Sequence, residues 1–213
     1  YERALRDFIA GLFGFRRSGR FLSDIEGFIQ DMLGPGLQYA LGMQVLKLTS
    51  PGVPDIYQGT EVWDDSLVDP DNRRSVDFTR IGALAGRHDT IDDAWANRAD
   101  GAVKLMVTRA ILGARARYPD LFSDGDYIAL DVDGADAVAF VRASETEALL
   151  AAVGIRPGGL ELASVELPDR FRAMVWHDVI RDDEPIALAN DGLYSFPGDE
   201  SPLPVSVLLG TAT

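Results

Sequence analysis

Apolar residues at Leu5, Phe8, Ile9, Leu12 and Phe13 recur at steps of three and four, the spacing that lines one face of an α-helix. Gly14 is placed to end that helix. Ser23, with Glu26 three residues on, forms a capping-box pattern ahead of Phe28, Ile29, Met32 and Leu33 and predicts a second helix. A third helical stretch runs from about Leu37 to Leu48. The rhythm then breaks at Ser50-Pro51-Gly52-Val53-Pro54-Asp55-Ile56-Tyr57-Gln58-Gly59. A short apolar run between Pro-Gly and Gln-Gly predicts a brief buried strand near 53–57. From Thr60 to Thr79 the chain is polar and aperiodic, and loops of that length in compact domains are functional or disordered. Trp63, Leu67, Val68 and Phe78 favour an ordered one.

Gly101 to Tyr118 carries one apolar stripe of Val103, Met106, Val107, Ala110, Ile111, Ala114 and Tyr118, with Lys104, Arg109, Arg115 and Arg117 on polar positions. Pro119 ends this helix, because a residue before proline is biased away from helical geometry. From Asp126 the pattern changes to short strands. Tyr127–Leu130 and Ala137–Val141 flank a turn region at Asp133–Asp136, and further candidates are Ala148–Val153, Ala173–Trp176, Leu193–Phe196 and Val205–Leu209. The predicted fold is α+β. Residues 1–125 form a mostly helical part containing one βα unit like the last of a (β/α)8 barrel, with its strand near 53–57 and its loop on the ligand-bearing side. Residues 126–213 form an antiparallel β-sandwich.

Composition narrows the function classes. Of 213 residues, 34 are acidic and 20 basic, a net charge of −14, a field that repels phosphate backbones and anionic lipid. No nucleic-acid or membrane partner is therefore expected, whereas a neutral ligand is indifferent to the field. The absence of cysteine excludes disulfides, thiolate metal sites and cysteine nucleophiles, and permits a reducing compartment, so a cytoplasmic location is expected. The chain opens at Tyr1 within a helical pattern, as a piece of a longer polypeptide would.

The concentrated polar chemistry lies between Pro51 and Phe78: carboxylates, guanidinium groups and a tryptophan. That inventory suits a polyhydroxylated ligand, which takes bidentate hydrogen bonds and an aromatic platform. The alternative is that Asp69, Asp71, Arg73 and Arg74 pair with one another to close the loop. His88 and His177 lack cysteine or nearby histidine partners and read as satisfied or surface residues, and no metal or cofactor is expected. No calcium-loop, phosphate-loop or dinucleotide fingerprint is present, and Asp182-Asp183-Glu184 reads as a solvated turn.

The run Pro51-Gly52-Val53-Pro54-Asp55-Ile56-Tyr57-Gln58-Gly59-Thr60-Glu61, continued by Trp63 and by Ser66-Leu67-Val68-Asp69-Pro70-Asp71-Asn72-Arg73-Arg74, closely resembles the segment after the last barrel strand of the maltooligosyl trehalose synthases. These belong to the α-amylase superfamily, which shares the first part of the motif more loosely. Tyr118-Pro119-Asp120-Leu121-Phe122 with Gly125-Asp126-Tyr127, and Leu203–Leu209, resemble that family's passage into its C-terminal β domain and the closing strand of that domain. Ser75 departs from the pattern, which has proline there.

The resemblance implies the C-terminal portion of an enzyme, a (1→4)-α-D-glucan 1-α-D-glucosylmutase, that turns the reducing-end α-1,4 link of a maltooligosaccharide into an α,α-1,1 link. Its two catalytic carboxyl groups are expected upstream, on the missing N-terminal part of the same polypeptide, so no catalytic residue is assigned and the fragment alone is expected to be inactive. For substrate contact it implies the rim: Asp55, Tyr57, Gln58 and Glu61 at the strand end, and Asp69, Asp71, Arg73 and Arg74 on the loop. Tyr57 suits wall packing equally well, and Trp63 suits either a stacking platform or a buried anchor. The alternatives are a glucan-binding or bracing β module, with Tyr127, Trp176 and Tyr194 as its aromatics, and a related superfamily hydrolase.

Overall fold

The computed structural model describes residues 1–13, 19–156, 158–181, 185–186, 188–189, 192–197 and 203–212. Gly14 and Asp182-Asp183-Glu184 lie outside the described residues. The chain divides into two compact units, Tyr1–Leu37 and Gln38–Thr213, and the long helix α2 (Gly19–Thr49) contributes to each.

In the first unit, α1 (Glu2–Leu12) buries none of its residues, and Leu5, Phe8, Ile9 and Phe13 stay exposed. The first half of α2 likewise exposes Phe28, Ile29, Met32 and Leu33. The expected second and third helices are one, and Ser23 lies inside it instead of capping it. The interruption expected before Leu37 is overridden at Pro35. Proline removes one backbone donor and needs room for its ring, and flanking Gly34 and Gly36 have open space where a Cβ would stand.

In the second unit, the remaining helices are α3 (Phe78–Leu84), α4 (Ile91–Ala96), α5 (Ala102–Arg117) and α6 (Pro119–Ser123). Asp77 caps α3 by accepting the Arg80 N–H at 2.9 Å, and Thr90 caps α4 by accepting the Asp93 N–H at 3.1 Å. Tyr118, at φ −127°, separates α5 from α6, as the following proline requires.

The strands are β1 (Asp126–Leu130), β2 (Val132–Asp133), β3 (Ala137–Ala143), β4 (Glu147–Gly154), β5 (Ser164–Glu166), β6 (Val175–Asp178), β7 (Leu193–Ser195) and β8 (Val205–Thr211). They make a five-stranded sheet in the order β1-β3-β4-β8-β6 and a three-stranded sheet β2-β5-β7, every pairing antiparallel. Central β4 is apolar from Ala148 to Val153 because that stretch is buried on both faces. Leu149, Ala151 and Val153 meet Leu41, Val45 and Leu48 of α2 and Val103, Val107 and Ile111 of α5. Ala148, Leu150 and Ala152 join Val165 of β5 and Tyr194 of β7 in a second cluster. Helices α2, α4, α5 and α6 thus share a core with the larger sheet, which is why the division of the chain falls after Leu37 while the change from helix to strand falls between Ser123 and Asp126.

The strand expected near 53–57 is not formed: these residues belong to no strand, and Val53 is 97% exposed. A strand exists as part of a ladder, and no described strand pairs with this segment. Ile56 alone of the run packs against the helix–sheet core.

Candidate functional site

The polar segment after α2 is held from beneath by cations. Arg115 of α5 donates to the Leu48 carbonyl at 2.9 Å and the Gly52 carbonyl at 3.0 Å, satisfying the C-terminal end of α2 and fixing where the segment starts. Its guanidinium lies 4.7 Å above the Phe122 ring. Buried Arg142 gathers the carbonyls of Phe122, Gly125 and Asp126 at 2.9–3.2 Å. Burial lowers the pKa of both groups from the ordinary arginine value, and Arg115 adds to the effect at Arg142.

Further along, Lys104 donates to the Val62 carbonyl at 3.1 Å and stands 5.6 Å from the Trp63 ring centre. Burial and the neighbouring Lys47 pull its ammonium pKa down, against the opposing pull of Asp64 and Glu61. The Trp63 indole N–H donates to the Arg98 carbonyl at 2.5 Å. Gly101, at φ +89°, lets α5 start against Trp63, since a Cβ there would stand 3.2 Å from the Trp63 backbone nitrogen and 3.3 Å from its ring Cδ1. Trp63 is therefore an anchor, half-buried.

The four charged residues of the loop pair with one another. Arg73 bonds Asp69, and Arg74 bonds both the carboxylate and the carbonyl of Asp71. The other oxygen of Asp71 accepts the Leu67 N–H at 2.8 Å, closing the turn that ends in a single 3₁₀ turn, Asp71–Arg73. Hydrogen bonds from Ser66 hold the Asp64 carboxyl below its ordinary pKa, with Lys104 and Arg74 acting in the same direction.

These contacts leave a cleft of about 150 Å³ lined by Gln58, Trp63, Asp64, Asn72, Arg74 and Arg80 among others. Of the residues expected at the rim, Gln58, Trp63 and Arg74 line it; Asp55, Tyr57, Glu61, Asp69, Asp71 and Arg73 do not. The Asn72 Oδ1 and the Glu61 Oε2 are buried acceptors without a hydrogen-bond partner. Asn72, Asp64 and Lys104 were not legible as site residues, because an asparagine in a charged run and a lysine on a helix carry no distinguishing pattern.

Elsewhere, His88 is a satisfied histidine: Nδ1 meets Asp93 at 2.6 Å and Nε2 meets Asp100 at 2.8 Å. Trp176 and Tyr194, candidates for sugar stacking in the β-module reading, are buried at 0% and 6% exposure, which removes them from any ligand surface. Among the described residues no group of three or more His, Cys, Asp or Glu is placed to hold a metal, and no helix is long and apolar enough to cross a membrane.

No family model matches the chain. Over 128 residues, 59% of this chain, it is 37% identical to a Mycobacterium tuberculosis (strain H37Rv) protein provisionally named maltooligosyl trehalose synthase, and the match covers 15% of that protein. The structure of maltooligosyltrehalose synthase from Arthrobacter ramosus superposes with a TM-score of 0.66 at 30% identity, over 87% of this chain and 24% of that one. This chain's relatives are maltooligosyl trehalose synthases. A Geobacillus thermoleovorans α-amylase, with a TM-score of 0.54 and 22% identity over 83% of this chain and 34% of that one, shares the fold alone. The chain thus spans about a quarter or less of the length of the maltooligosyl trehalose synthases it matches.

Proposed function

We propose that the chain is the C-terminal part of a maltooligosyl trehalose synthase: the end of a (β/α)8 barrel followed by a β-sandwich domain, acting with an upstream part of the same polypeptide. In that reading the whole enzyme converts the reducing-end α-1,4 link of a maltooligosaccharide into an α,α-1,1 link inside the cytoplasm. Retention of configuration calls for two carboxyl groups about 5–5.5 Å apart, one nucleophile and one acid/base, and both are assigned to the upstream part. The role left to this chain is to hold sugar at the rim.

The observation that carries the reading is the loop cleft with its unpartnered Asn72 oxygen, set in the segment that resembles the family most densely. A buried acceptor calls for a donor, and a sugar hydroxyl supplies one without adding charge. Arg74 at the rim offers donors, and Gln58 both donors and an acceptor, to the neighbouring hydroxyls. At about 150 Å³ the cleft is below the usual pocket range and suits one hexose unit, not a whole oligosaccharide. Asp55, Tyr57, Glu61, Asp69, Asp71 and Arg73 would then act on the sugar's course outside the cleft, or hold the loop.

Incubating this chain with maltohexaose is expected to leave the reducing ends intact. In the whole enzyme, Asn72→Leu and Arg74→Ala are expected to raise KM with the sandwich still folded. Loss of reducing ends by the chain alone would overturn the assignment of the carboxylates. Unchanged KM in both variants would overturn the rim.

A further inference from the structure

A second cleft, of about 480 Å³, lies on the opposite side of α5 from Lys104, between that helix and strands β6 and β8. Arg109, Gly113 and Arg117 succeed one another at steps of four along α5 and form one wall; His177 and Leu209 belong to the other. Its floor is apolar, from Ala110, Ala114 and Val179, and its rim is cationic.

A cationic cleft is unexpected on a chain of net charge −14. The one carboxylate in its lining, Asp178, is buried and committed. Its Oδ1 accepts the Ile180 and Arg181 N–H groups, and its Oδ2 takes an Arg181 guanidinium N–H at 3.2 Å. Arg109 makes one long bond, 3.4 Å, to the Ala85 carbonyl. The Arg117 side chain makes no hydrogen bond or ion pair with the described residues. The dipole of α5 favours a cation in its last turn, which accounts for Arg117 by itself. It accounts neither for Arg109, mid-helix, nor for the small residues between the two arginines. The backbone positions of the two arginines are about 12 Å apart along the axis, with only Gly113 on the same face between them, which leaves room for a molecule.

We propose that this cleft binds a small organic anion, a carboxylate or phosphate head on a compact apolar body. The head meets the Arg117 guanidinium, and the body lies over Gly113 against Leu209. An anion there gains charge-assisted hydrogen bonds without displacing a protein partner of Arg117, and its body covers apolar surface that water now touches.

Titration calorimetry on the 213-residue chain tests this with four probes: phenyl phosphate, benzoate, inorganic phosphate and benzyl alcohol. Saturable binding of phenyl phosphate or benzoate is expected, the tighter of the two naming the head. Inorganic phosphate, lacking a body, and benzyl alcohol, lacking a head, are expected to bind weakly or not at all. Arg117→Gln is expected to weaken binding about tenfold, the loss of one charge-assisted hydrogen bond. Gly113→Leu is expected to abolish it, because a Cβ at Gly113 meets nothing within 4 Å and a longer side chain fills the cleft. That change also raises helix propensity, and thermal melts of both variants verify the fold. Failure of both aromatic anions to bind would overturn the proposal. So would equal affinity for benzyl alcohol, equal affinity for inorganic phosphate, or undiminished binding by Gly113→Leu.

Discussion

Both imidazole nitrogens of His88 are committed to carboxylates, and the side chain is 7% exposed. The bonds from Asp100, then Asp93, raise its pKa above the ordinary 6.5, while Arg87 also holds Asp100 at 3.2 Å. A folded pKa above the unfolded one adds stability that is complete below pH 6.5 and is lost as pH rises through the raised value. Urea midpoints measured at increasing pH are therefore expected to fall across that window for this chain and to stay level for His88→Gln. A level profile in the parent chain would contradict the clamp. Arg142 is the second residue whose role is invisible in sequence. It sits in a strand whose neighbours Phe140, Val141 and Ala143 are apolar, yet it is 1% exposed and bonded to three carbonyls at 2.9–3.2 Å. Arg142→Ala strands those acceptors and is expected to cost about 3 kcal/mol in chemical denaturation. Arg142→Lys is expected to recover little, since an ammonium lacks the planar fork that reaches several carbonyls at once. The partners of both residues could not have been found by pattern, because they come from chain segments brought together only by folding.

Among the elements, those governed by their own periodicity were legible: α5 matches its stripe within a residue at each end, and β4 and β8 fall where apolar runs meet turn residues. The misread elements are ones that depend on a partner. Residues 53–57 have strand-like composition but no ladder to join, and β2 and β5 are too short to show alternation. Within the loop, the ion pairing of Asp69, Asp71, Arg73 and Arg74 was legible as one of two alternatives, while the cleft beside it depends on Asn72, which no spacing marks. At one point the packing of α2 on β4 requires a glycine: a Cβ at Gly42 would stand 2.6 Å from the Val153 Cγ1. Gly42→Ala is thus expected to destabilise by about 1–2 kcal/mol despite the better helix propensity of alanine. In a Val153→Ala background the same change is expected to become neutral or stabilising, and a double-mutant cycle of urea unfolding measures the coupling. Additive effects would mean that the two elements do not touch there.

At the scale of the whole molecule, an exposed apolar row on α1 and the first half of α2 is a surface without a cover among the described residues. Sedimentation is expected to show concentration-dependent self-association, reduced when Phe8 and Phe28, 63% and 64% exposed, are both changed to serine. A monodisperse parent chain would contradict that expectation. The second unit is organised differently, around a helix that grips backbone: Lys104, Arg109 and Arg115 of α5 hold the carbonyls of Val62, Ala85, Leu48 and Gly52. A carbonyl is present whatever side chain the residue carries. The gripped positions are thus free to accept substitutions that a side-chain contact would forbid, and a rim held this way can change its residues over evolutionary time while the path of its backbone stays put.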